Sequence, residues 1–395
     1  MFRRISSVVL AVVLTLVVSE VGASAAYVPA PGGLFNNPYA AKPARTRILQ
    51  HIISAINHTP AGATIRIAVY SFDRKDVGDA LVDAYNRGVN VQMVQNDNAI
   101  SNQTVRLQAT LGDNPDSSSF FVLCHGSCRG GYGNQHMKIY LFTQTGDARN
   151  VVMTGSSNLT SYAVKVQWND MFTVDGAPAM LGLYTSIFNQ LKYDKKVAHP
   201  FVHKTTGSYD SMFYPHPDTT QANDPLLRRL DAVRCQTSGG YGSNGHSKVR
   251  IAVYGWQGER GLYLADRVVQ MHTHGCDVKA IISSGGGQVA HRLKKGGVPV
   301  RSADYDTNQD GTLEHYTHEK WMTLSGTLAG TPTRAVWTGS ENWSTLAPHN
   351  DEVTLRIMRD RAYSQYYKNF SFIWANHTHD ISTHYPSATA VAPDK

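Results

Sequence analysis

Long apolar runs are scarce in this sequence, and the one near its start is too short to cross a membrane. The run from Val8 to Val18 follows Arg3 and Arg4, and Ala23-Ser24-Ala25 provides a small-residue cleavage signal. A spanning helix needs about 20 apolar residues, and no stop-transfer pattern follows this run. Residues 1–25 are therefore predicted to be a secretory signal peptide, and the mature protein is expected to be soluble and secreted.

The sequence also lacks a dense run of basic residues. Its 37 Lys and Arg against 30 Asp and Glu give a formal charge of +7 that is spread along the chain. This distribution excludes a dedicated basic tail for nucleic acid. The excess is compatible with an anionic partner, either phospholipid head groups or nucleic acid.

Cysteine is rare, with four residues in the chain. None lies near the predicted cleavage point, which argues against a lipid anchor there, and no ligand set has the spacing of a zinc site. Outside the reducing cytosol, cysteines are expected to form disulfides. Cys124 and Cys128 are close enough in sequence to close a tight loop, which leaves Cys235 to pair with Cys276.

A two-part motif occurs twice and organises the chain. Each copy is an H-x-K tripeptide that opens a strand-like run, followed by a G-S-x-N tetrapeptide: His136-Met137-Lys138 with Gly155-Ser156-Ser157-Asn158, and His318-Glu319-Lys320 with Gly339-Ser340-Glu341-Asn342. The histidines are 182 residues apart and the first glycines 184 apart. Such a constant offset indicates an internal duplication rather than chance.

The predicted elements repeat in the same way. After an extended arm from Tyr27 to Tyr39, helix, strand, helix and strand follow at Thr46 to Ile56, Ile65 to Phe72, Asp76 to Asn86 and Val89 to Val94. The second half gives the same order at Asp224 to Val233, Val249 to Trp256, Leu262 to His272 and Val278 to Ile282, and R-I-A-V-Y recurs at Arg66 to Tyr70 and Arg250 to Tyr254. Two long copies exclude a solenoid and predict a duplicated α/β domain with parallel strand pairs, divided into residues 26–215 and 216–395.

The repeated residue types are those that phosphodiester cleavage requires. In a strand, residues two apart face the same side, so His136 and Lys138 share a face, as do His318 and Lys320. If the halves meet about a two-fold axis, one histidine attacks phosphorus, the other protonates the departing oxygen, and the lysines neutralise the phosphoryl oxygens. The four polar side chains of the tetrapeptides are expected to hold anionic oxygens: Ser156, Asn158, Ser340 and Asn342. No cofactor is required for this chemistry.

Acidic residues follow each tetrapeptide and are candidates for orienting the histidines. A carboxylate that accepts a hydrogen bond from one ring nitrogen fixes the tautomer of the imidazole. The stretches Asn169-Asp170 and Asn350-Asp351-Glu352 offer such groups, and Asp170 and Glu352 are predicted to serve. The alternative is that they are solvated loop acids.

One further stretch has the pattern of half a calcium loop. Asp306, Asn308 and Asp310 stand at the first, third and fifth positions and Gly311 at the sixth, but the twelfth position, normally a bidentate Glu, is Thr317. Calcium binding and an ordinary polar turn are both open interpretations.

The motifs resemble the signature of the phospholipase D superfamily, H-x-K-x4-D followed by G-S-x-N, which usually occurs twice per active site. The resemblance implies a pair of α/β sandwich domains with mixed, largely parallel sheets flanked by helices and a site at their interface. It also implies His136 as nucleophile and His318 as acid. The family aspartate, five residues after the lysine, is replaced by Thr143 in the first copy and Ser325 in the second.

The resulting expectation is a secreted phosphodiesterase of phospholipase D type, acting at a membrane surface. It would hydrolyse phospholipid head groups, or transfer the phosphatidyl group to another alcohol, through a phosphohistidine. Two alternatives are a metal-independent nuclease and an inactive protein that binds anionic surfaces. No obligate protein partner is expected, and the chain is expected to be a monomer.

Overall fold

The computed structural model describes residues 27–283 and 286–381. The predicted signal peptide lies outside the described residues. Across the described ranges, no helix has both the length and the apolar character that crossing a membrane requires. The α-helices are α1 (Lys42–Arg45), α2 (Arg47–Asn57), α3 (Lys75–Asn86), α4 (Asn102–Leu111), α5 (Ser161–Lys165), α6 (Pro178–Leu191), α7 (Pro225–Asp231), α8 (Gly258–Thr273), α9 (Gly287–Lys295) and α10 (Asp360–Asn376).

The strands alternate with these helices in both halves of the chain. In the first half they are β1 (Gly32–Phe35), β2 (Thr64–Val69), β3 (Asn90–Asn96), β4 (Phe120–Cys124), β5 (Ile139–Thr145), β6 (Ala148–Gly155), β7 (Gln167–Trp168), β8 (Asp170–Val174), β9 (Val202–Thr206) and β10 (Tyr209–Phe213). In the second half they are β11 (Val233–Arg234), β12 (Lys248–Val253), β13 (Trp256–Gln257), β14 (Asp277–Ile282), β15 (Val300–Ser302), β16 (Tyr316–Thr317), β17 (Lys320–Leu328), β18 (Thr331–Gly339), β19 (Trp343–Ser344), β20 (Val353–Ile357) and β21 (His379–Asp380).

Two large mixed sheets are built on one plan. The first has the order β1-β8-β6-β5-β2-β3-β4, and the second has the order β21-β15-β14-β12-β17-β18-β20-β10-β9, with β11 paired to β17. In the first, β2, β3 and β4 are parallel and the β5–β6 hairpin runs antiparallel beside β2. In the second, β12, β14 and β15 are parallel, with the β17–β18 hairpin antiparallel beside β12. The predicted duplicated α/β fold is confirmed.

A shared apolar core joins the two sheets. It contains Ile139 of the first sheet, Val336 of the second, Phe188 of α6 and Tyr366 of α10. The outer face of the first sheet packs against α2, α3 and α4, and that of the second against α7, α8 and α9. Because the interface between the halves is part of a continuous core, side chains at the sheet ends are held in fixed positions relative to each other.

Strands at the sheet edges extend beyond the predicted elements. The arm predicted as extended contributes β1, which pairs antiparallel with β8. The β9–β10 hairpin hydrogen-bonds to β20 and therefore belongs to the second sheet. The predicted division after residue 215 stays a prediction, but this hairpin precedes it and pairs with the later half.

Both predicted disulfides are present. Cys124 at the end of β4 is bonded to Cys128, and their Cα atoms are 5.2 Å apart. Cys235 is bonded to Cys276, which directly precedes β14, with Cα atoms 4.6 Å apart. The first closes a loop that leads to His136, and the second ties the segment after β11 to the end of α8.

Candidate active site

The histidine and lysine of each motif lie at equivalent sheet positions. Lys138 directly precedes β5 and follows His136 by two positions, whereas Lys320 is the first residue of β17 and follows His318 by two positions. His136 is 3% exposed and His318 is fully buried, and both lysines are buried as well. Each ammonium group donates to the carbonyl of its own histidine, Lys138 at 2.8 Å and Lys320 at 2.6 Å. In each copy both side chains also lie beside one tyrosine ring, Tyr70 or Tyr254, in agreement with the predicted sharing of one face.

The two halves exchange backbone hydrogen bonds at the motifs. The His136 amide donates to the Asp351 carbonyl at 3.0 Å, and the His318 amide donates to the Trp168 carbonyl at 2.8 Å. The short strand β7 pairs in parallel with β16 and carries Trp168 to this position. Each histidine is thus anchored by the half to which it does not belong.

Glu352 orients His136, as predicted. The His136 Nδ1 atom lies 2.8 and 3.0 Å from the two carboxylate oxygens of Glu352. The Asn350 side-chain amide also donates to Glu352, at 3.0 Å. A carboxylate in this position fixes the tautomer with the proton on Nδ1 and stabilises positive charge on the ring.

The prediction that Asp170 orients His318 is wrong. His318 Nδ1 lies 2.9 Å from the amide oxygen of Asn169, one residue earlier. Asp170 begins β8, where neighbouring side chains point to opposite faces, and its carboxylate instead accepts from Thr338 and from Tyr366. Burial raises the pKa of Asp170. The two histidines consequently have different partners, a carboxylate and a neutral amide.

The tetrapeptides support this arrangement. The Ser156 hydroxyl donates to the Asn169 amide oxygen at 3.1 Å and accepts from the Asp170 amide, while the Ser340 hydroxyl accepts from the Val353 amide. The serines therefore position the segments that carry the histidine partners. A direct contact of either serine with an anionic oxygen of the substrate stays a prediction.

Glycine is required at the first tetrapeptide position for close strand packing. A Cβ atom at Gly155 would lie 2.3 Å from the Asp170 carbonyl oxygen, and one at Gly339 would lie 2.0 Å from the Val353 carbonyl oxygen. Both distances are far below van der Waals contact, so only glycine lets the next strand approach. The spacing of the motif thus reflects backbone geometry as well as chemistry.

Asn158 of the first tetrapeptide is buried, and Asn342 of the second is partly buried. The Asn342 amide oxygen accepts from the Gly255 amide at 3.2 Å, which leaves its amide nitrogen as the donor for a ligand. The Asn158 amide oxygen is buried without a hydrogen-bond partner among the described residues. A buried polar atom of this kind is a candidate for contact with a substrate.

Two tyrosines complete the site and were not predicted. The Tyr70 ring lies 5.5 Å from the His136 ring, and Lys138 Nζ lies 5.7 Å from its centroid. In the second half, Tyr254 lies 5.0 Å from the His318 ring and Lys320 Nζ lies 4.8 Å from its centroid. The recurrence of R-I-A-V-Y is the signal that could have identified both, because Tyr is the last residue of each copy.

Two other carboxyl groups are buried beside the motifs. Burial raises the pKa of Asp351 to about 7, even though Arg129 and the Ser127 hydroxyl favour its charged form. Burial, followed by the charge of Asp170, raises the pKa of Glu319 to about 8. Asp351 ties the disulfide loop to the segment that carries Glu352.

The residues that replace the family aspartate are involved in strand support. The Thr143 hydroxyl accepts from the Thr64 amide at 2.8 Å, and the Ser325 hydroxyl accepts from the Gly242 amide at 3.0 Å. Ser325 pairs with Lys248 at the start of β12, whereas Lys320 pairs with Val253 at its end. Ser325 therefore lies at the end of the β12–β17 pair that is farther from the histidine motif.

The predicted calcium loop is an exposed turn. Oxygen atoms of Asp306, Asn308 and Asp310 accept hydrogen bonds from backbone amides within the same loop. Calcium binding stays a prediction. In the part of the chain that the structure describes, the one cluster with suitably close ligand atoms comprises Cys124, Cys128 and Asp194, and both cysteines are consumed by their disulfide.

Comparison with known proteins identifies related sequences and folds. The family model described as "Cardiolipin synthase, PLD-like domain" matches residues 52–192 and 243–374, so it covers both motifs. No curated protein matches the chain.

Two solved structures share the fold at low sequence identity, and a third is similar over part of the chain. Phosphatidylserine synthase from Haemophilus influenzae Rd KW20 is 11% identical, with a TM-score of 0.57, and 87% of each chain is covered. Polyphosphate kinase from Porphyromonas gingivalis is 11% identical, with a TM-score of 0.55 over 91% of this chain, which spans about half, 53%, of that enzyme. Nuc from Salmonella typhimurium, a phospholipase D family member, is 23% identical, with a TM-score of 0.30, over 40% of this chain and 92% of its own.

Proposed function

Because this chain belongs to the phospholipase D superfamily, whose members act on phosphodiesters, we propose that it is a secreted enzyme that cleaves phospholipid head groups through a phosphohistidine. The observation that carries the proposal is the pair of buried histidines, each oriented by a side chain of the opposite half. Such a pair supplies a nucleophile and a general acid to one phosphorus atom.

The proposed reaction has two steps. Glu352 holds the Nδ1 proton of His136, so Nε2 attacks phosphorus and the bond to the head-group oxygen breaks while His318 donates a proton to that oxygen. His318 then deprotonates water or a second alcohol, whose oxygen attacks phosphorus. The bond between phosphorus and His136 Nε2 breaks. The products are the head-group alcohol and phosphatidate, or a new phosphodiester, and both histidines return to their starting forms.

The difference between the two orienting residues supports the assignment of roles. Phosphorylation of His136 produces a cationic ring, which the adjacent Glu352 carboxylate stabilises. His318 must release its proton during the first step, and the neutral amide of Asn169 orients the ring without binding that charge strongly. We therefore assign His136 as nucleophile and His318 as general acid and base.

The lysines and asparagines would stabilise the phosphoryl oxygens. Lys138 and Lys320 are buried cations, and a cation in a site of low dielectric attracts a developing negative charge more strongly than it would in water. The amide nitrogen of Asn342 is directed by the bond between its oxygen and Gly255. These groups account for charge stabilisation without a resident cofactor in the proposed steps.

Phospholipid is the substrate class that the comparisons favour. The matching family is described by cardiolipin synthase, and one of the neighbours with a similar fold is a phosphatidylserine synthase. The net charge of +7 would favour an anionic membrane surface. Cleavage of nucleic acid is the competing outcome of the test.

Two assays in chelator separate the substrates. Choline release from phosphatidylcholine vesicles and nicking of supercoiled plasmid are measured for the wild type, for the double variant His136→Ala, His318→Ala, and for His274→Ala, which changes an exposed histidine. We expect choline release by the wild type and the control variant and none by the double variant. Plasmid nicking without choline release would replace the lipid assignment, and residual activity of the double variant would refute the mechanism.

A further inference from the structure

A cavity of about 510 Å³ lies outside the active site, between α7 and the second sheet. Its wall includes residues of β10, β18 and β20, and the first turn of α7 closes one side. None of the histidines, lysines or tetrapeptide residues described above lines it. The volume falls within the range of cavities that hold small ligands, about 300–1,000 Å³. We call it the arginine cavity, after Arg228, Arg229 and Arg356 in its wall.

The rest of the wall is largely apolar. Met212 of β10, Trp337 of β18 and Met358 after β20 contribute thioether and indole surface. Trp337 is buried, and the Arg229 guanidinium lies 5.8 Å from the centre of its ring. A ligand with a small hydrocarbon body would bury this surface together with its own.

The charged groups of the cavity have unused donors. Arg229 has a side chain that is 5% exposed, and its Nε and Nη2 atoms have no hydrogen-bond partner among the described residues. Its Nη2 atom is 3.8 Å from Glu341, which already forms a closer pair with Arg260 at 2.6 Å. The Nε atom of Arg356 also lacks a partner within the described ranges. Buried guanidinium groups that lack acceptors are costly, and an anion at the cavity wall would partly offset the positive charge of both arginines.

The charge balance also favours an anion. Three guanidinium groups line the cavity, against one carboxylate, Asp210. That carboxylate is already bound by His203 at 2.9 Å, Thr205 at 2.7 Å and Arg356 at 3.3 Å. Asp210 therefore neutralises part of the local positive charge but does not occupy the donors of Arg229.

We propose that the arginine cavity is a second ligand site that binds a small amphiphilic anion, a phosphate monoester or carboxylate with a short hydrocarbon chain. The guanidinium groups of Arg229 and Arg356 bind the anionic head, and Met212, Trp337 and Met358 contact the chain. Arg229 also links the site to catalysis, because its partner Glu341 lies between Ser340 and Asn342 in the second tetrapeptide. Binding does not depend on the substrate proposed above.

Titration calorimetry with hexyl phosphate, inorganic phosphate and 1-hexanol tests the site. Hexyl phosphate is expected to bind wild-type protein at least about tenfold more tightly than inorganic phosphate, because the chain buries apolar surface. Met212→Trp, which fills the cavity, and Arg356→Gln, which removes a donor, are each expected to weaken hexyl phosphate at least tenfold. Arg149→Gln, at an exposed arginine outside the cavity, is the matched control and should bind as the wild type does.

Several results would overturn the proposal. They are equal binding by wild type and both cavity variants, equal affinity for hexyl phosphate and inorganic phosphate, and binding of hexanol as tight as that of hexyl phosphate. Thermal unfolding of each variant shows whether it is folded, and two substitutions of different kinds keep the test decisive if one destabilises the chain. Choline release, measured in parallel, separates the sites: a hexyl phosphate inhibition constant unchanged by Met212→Trp would assign the ligand to the catalytic histidines.

Discussion

At the scale of single residues, the two histidines differ in the side chain that hydrogen-bonds to Nδ1. Glu352 and Asn169 occupy equivalent places after their tetrapeptides, yet one is a carboxylate and the other an amide. A carboxylate stabilises a charged ring, whereas an amide mainly orients it. In the proposed mechanism, this asymmetry divides two otherwise similar histidines into a nucleophile and an acid.

Asn169→Asp tests this division. The new carboxylate would stabilise the charged form of His318, so the ring would give up its proton less readily. The alkaline limb of the profile of kcat against pH is expected to move upward by about one unit or more, with a lower maximum. The profile is measured for choline release from pH 5 to 10.

Glu352→Gln is the matched control, because it changes the other orienting residue. It is expected to lower kcat by about 10²-fold and to leave the alkaline limb in place. An unchanged alkaline limb in Asn169→Asp would show that the amide has no bearing on the acid role of His318.

Glu319 makes the stability of the fold depend on pH. Its pKa is raised from 4.5 to about 8, so between these values the unfolded chain is ionised while the folded chain keeps the proton. The contribution of this group to the free energy of unfolding is therefore fully present below about pH 4.5. It is lost as pH rises toward 8, by up to about 1.4 kcal/mol per pH unit. Glu319→Gln is expected to flatten the dependence in this window, as measured by urea unfolding at several pH values. If the free energy of unfolding depended on pH equally in the wild type and the variant, the raised pKa of Glu319 would be contradicted.

Much of the site was predictable at this scale because the chemistry repeats. Both H-x-K pairs and Glu352 follow from the duplicated motif, and the structure brings them together at one interface. Asn169 was missed because adjacent residues at a strand end point to opposite faces, and the sequence does not show which of Asn169 and Asp170 faces the histidine. The prediction was also limited to carboxylates, although an amide oxygen accepts the same hydrogen bond.

At the scale of elements, the two disulfides have different consequences. Cys235–Cys276 closes a separation of 41 residues and Cys124–Cys128 one of 4. Cross-link entropy therefore predicts a loss of about 4 kcal/mol on removing the first and about 2 kcal/mol on removing the second. The short loop, however, carries the Ser127 hydroxyl that holds Asp351, next to Glu352.

Paired substitutions separate stability from activity. The double Cys→Ser variant at 235 and 276 is expected to unfold at lower denaturant concentration with nearly normal kcat. The double variant at 124 and 128 should lose less stability and more activity. Denaturant unfolding and choline release are measured on both variants. The opposite ranking in activity would show that the short loop does not position Glu352, and the opposite ranking in stability would contradict the cross-link entropy argument.

The four helices and the central strands that apolar periodicity predicted are present, whereas the edge strands were not predicted. The periodicity of apolar residues places α2, α3 and β12 within one to three residues of their observed ends. The arm strand β1 and the β9–β10 hairpin have their partners, β8 and β20, far along the chain. Local sequence carries no signal of such pairing, since the hydrogen bonds that define these strands depend on the assembled sheets.

At the scale of the whole molecule, one chain provides both histidines and the side chains that orient them. Glu352 orients His136 and Asn169 orients His318, so each of these hydrogen bonds joins the two halves of the same chain. Mixing equal amounts of His136→Ala and His318→Ala protein, co-refolded from denaturant, is therefore expected to restore no choline release. Recovery of up to about a quarter of wild-type activity would instead indicate that halves exchange between chains.

Export stays a prediction at this scale. Two disulfides support it, because such bonds persist outside the reducing cytosol. The signal segment that would direct it lies outside the described residues. The shared core between the sheets joins the two halves that carry the histidines.

The most direct test of the proposed mechanism is to identify the histidine that becomes covalently modified. A p-nitrophenyl phosphodiester is used because its phenolate leaves without protonation, and the protein is quenched in base and mapped by mass spectrometry. In His318→Asn, the proposed mechanism predicts a burst of one equivalent of nitrophenolate and an adduct on His136. In His136→Asn, it predicts neither. An adduct on His318 in the His136→Asn protein, or no adduct on His136 in the His318→Asn protein, would contradict it.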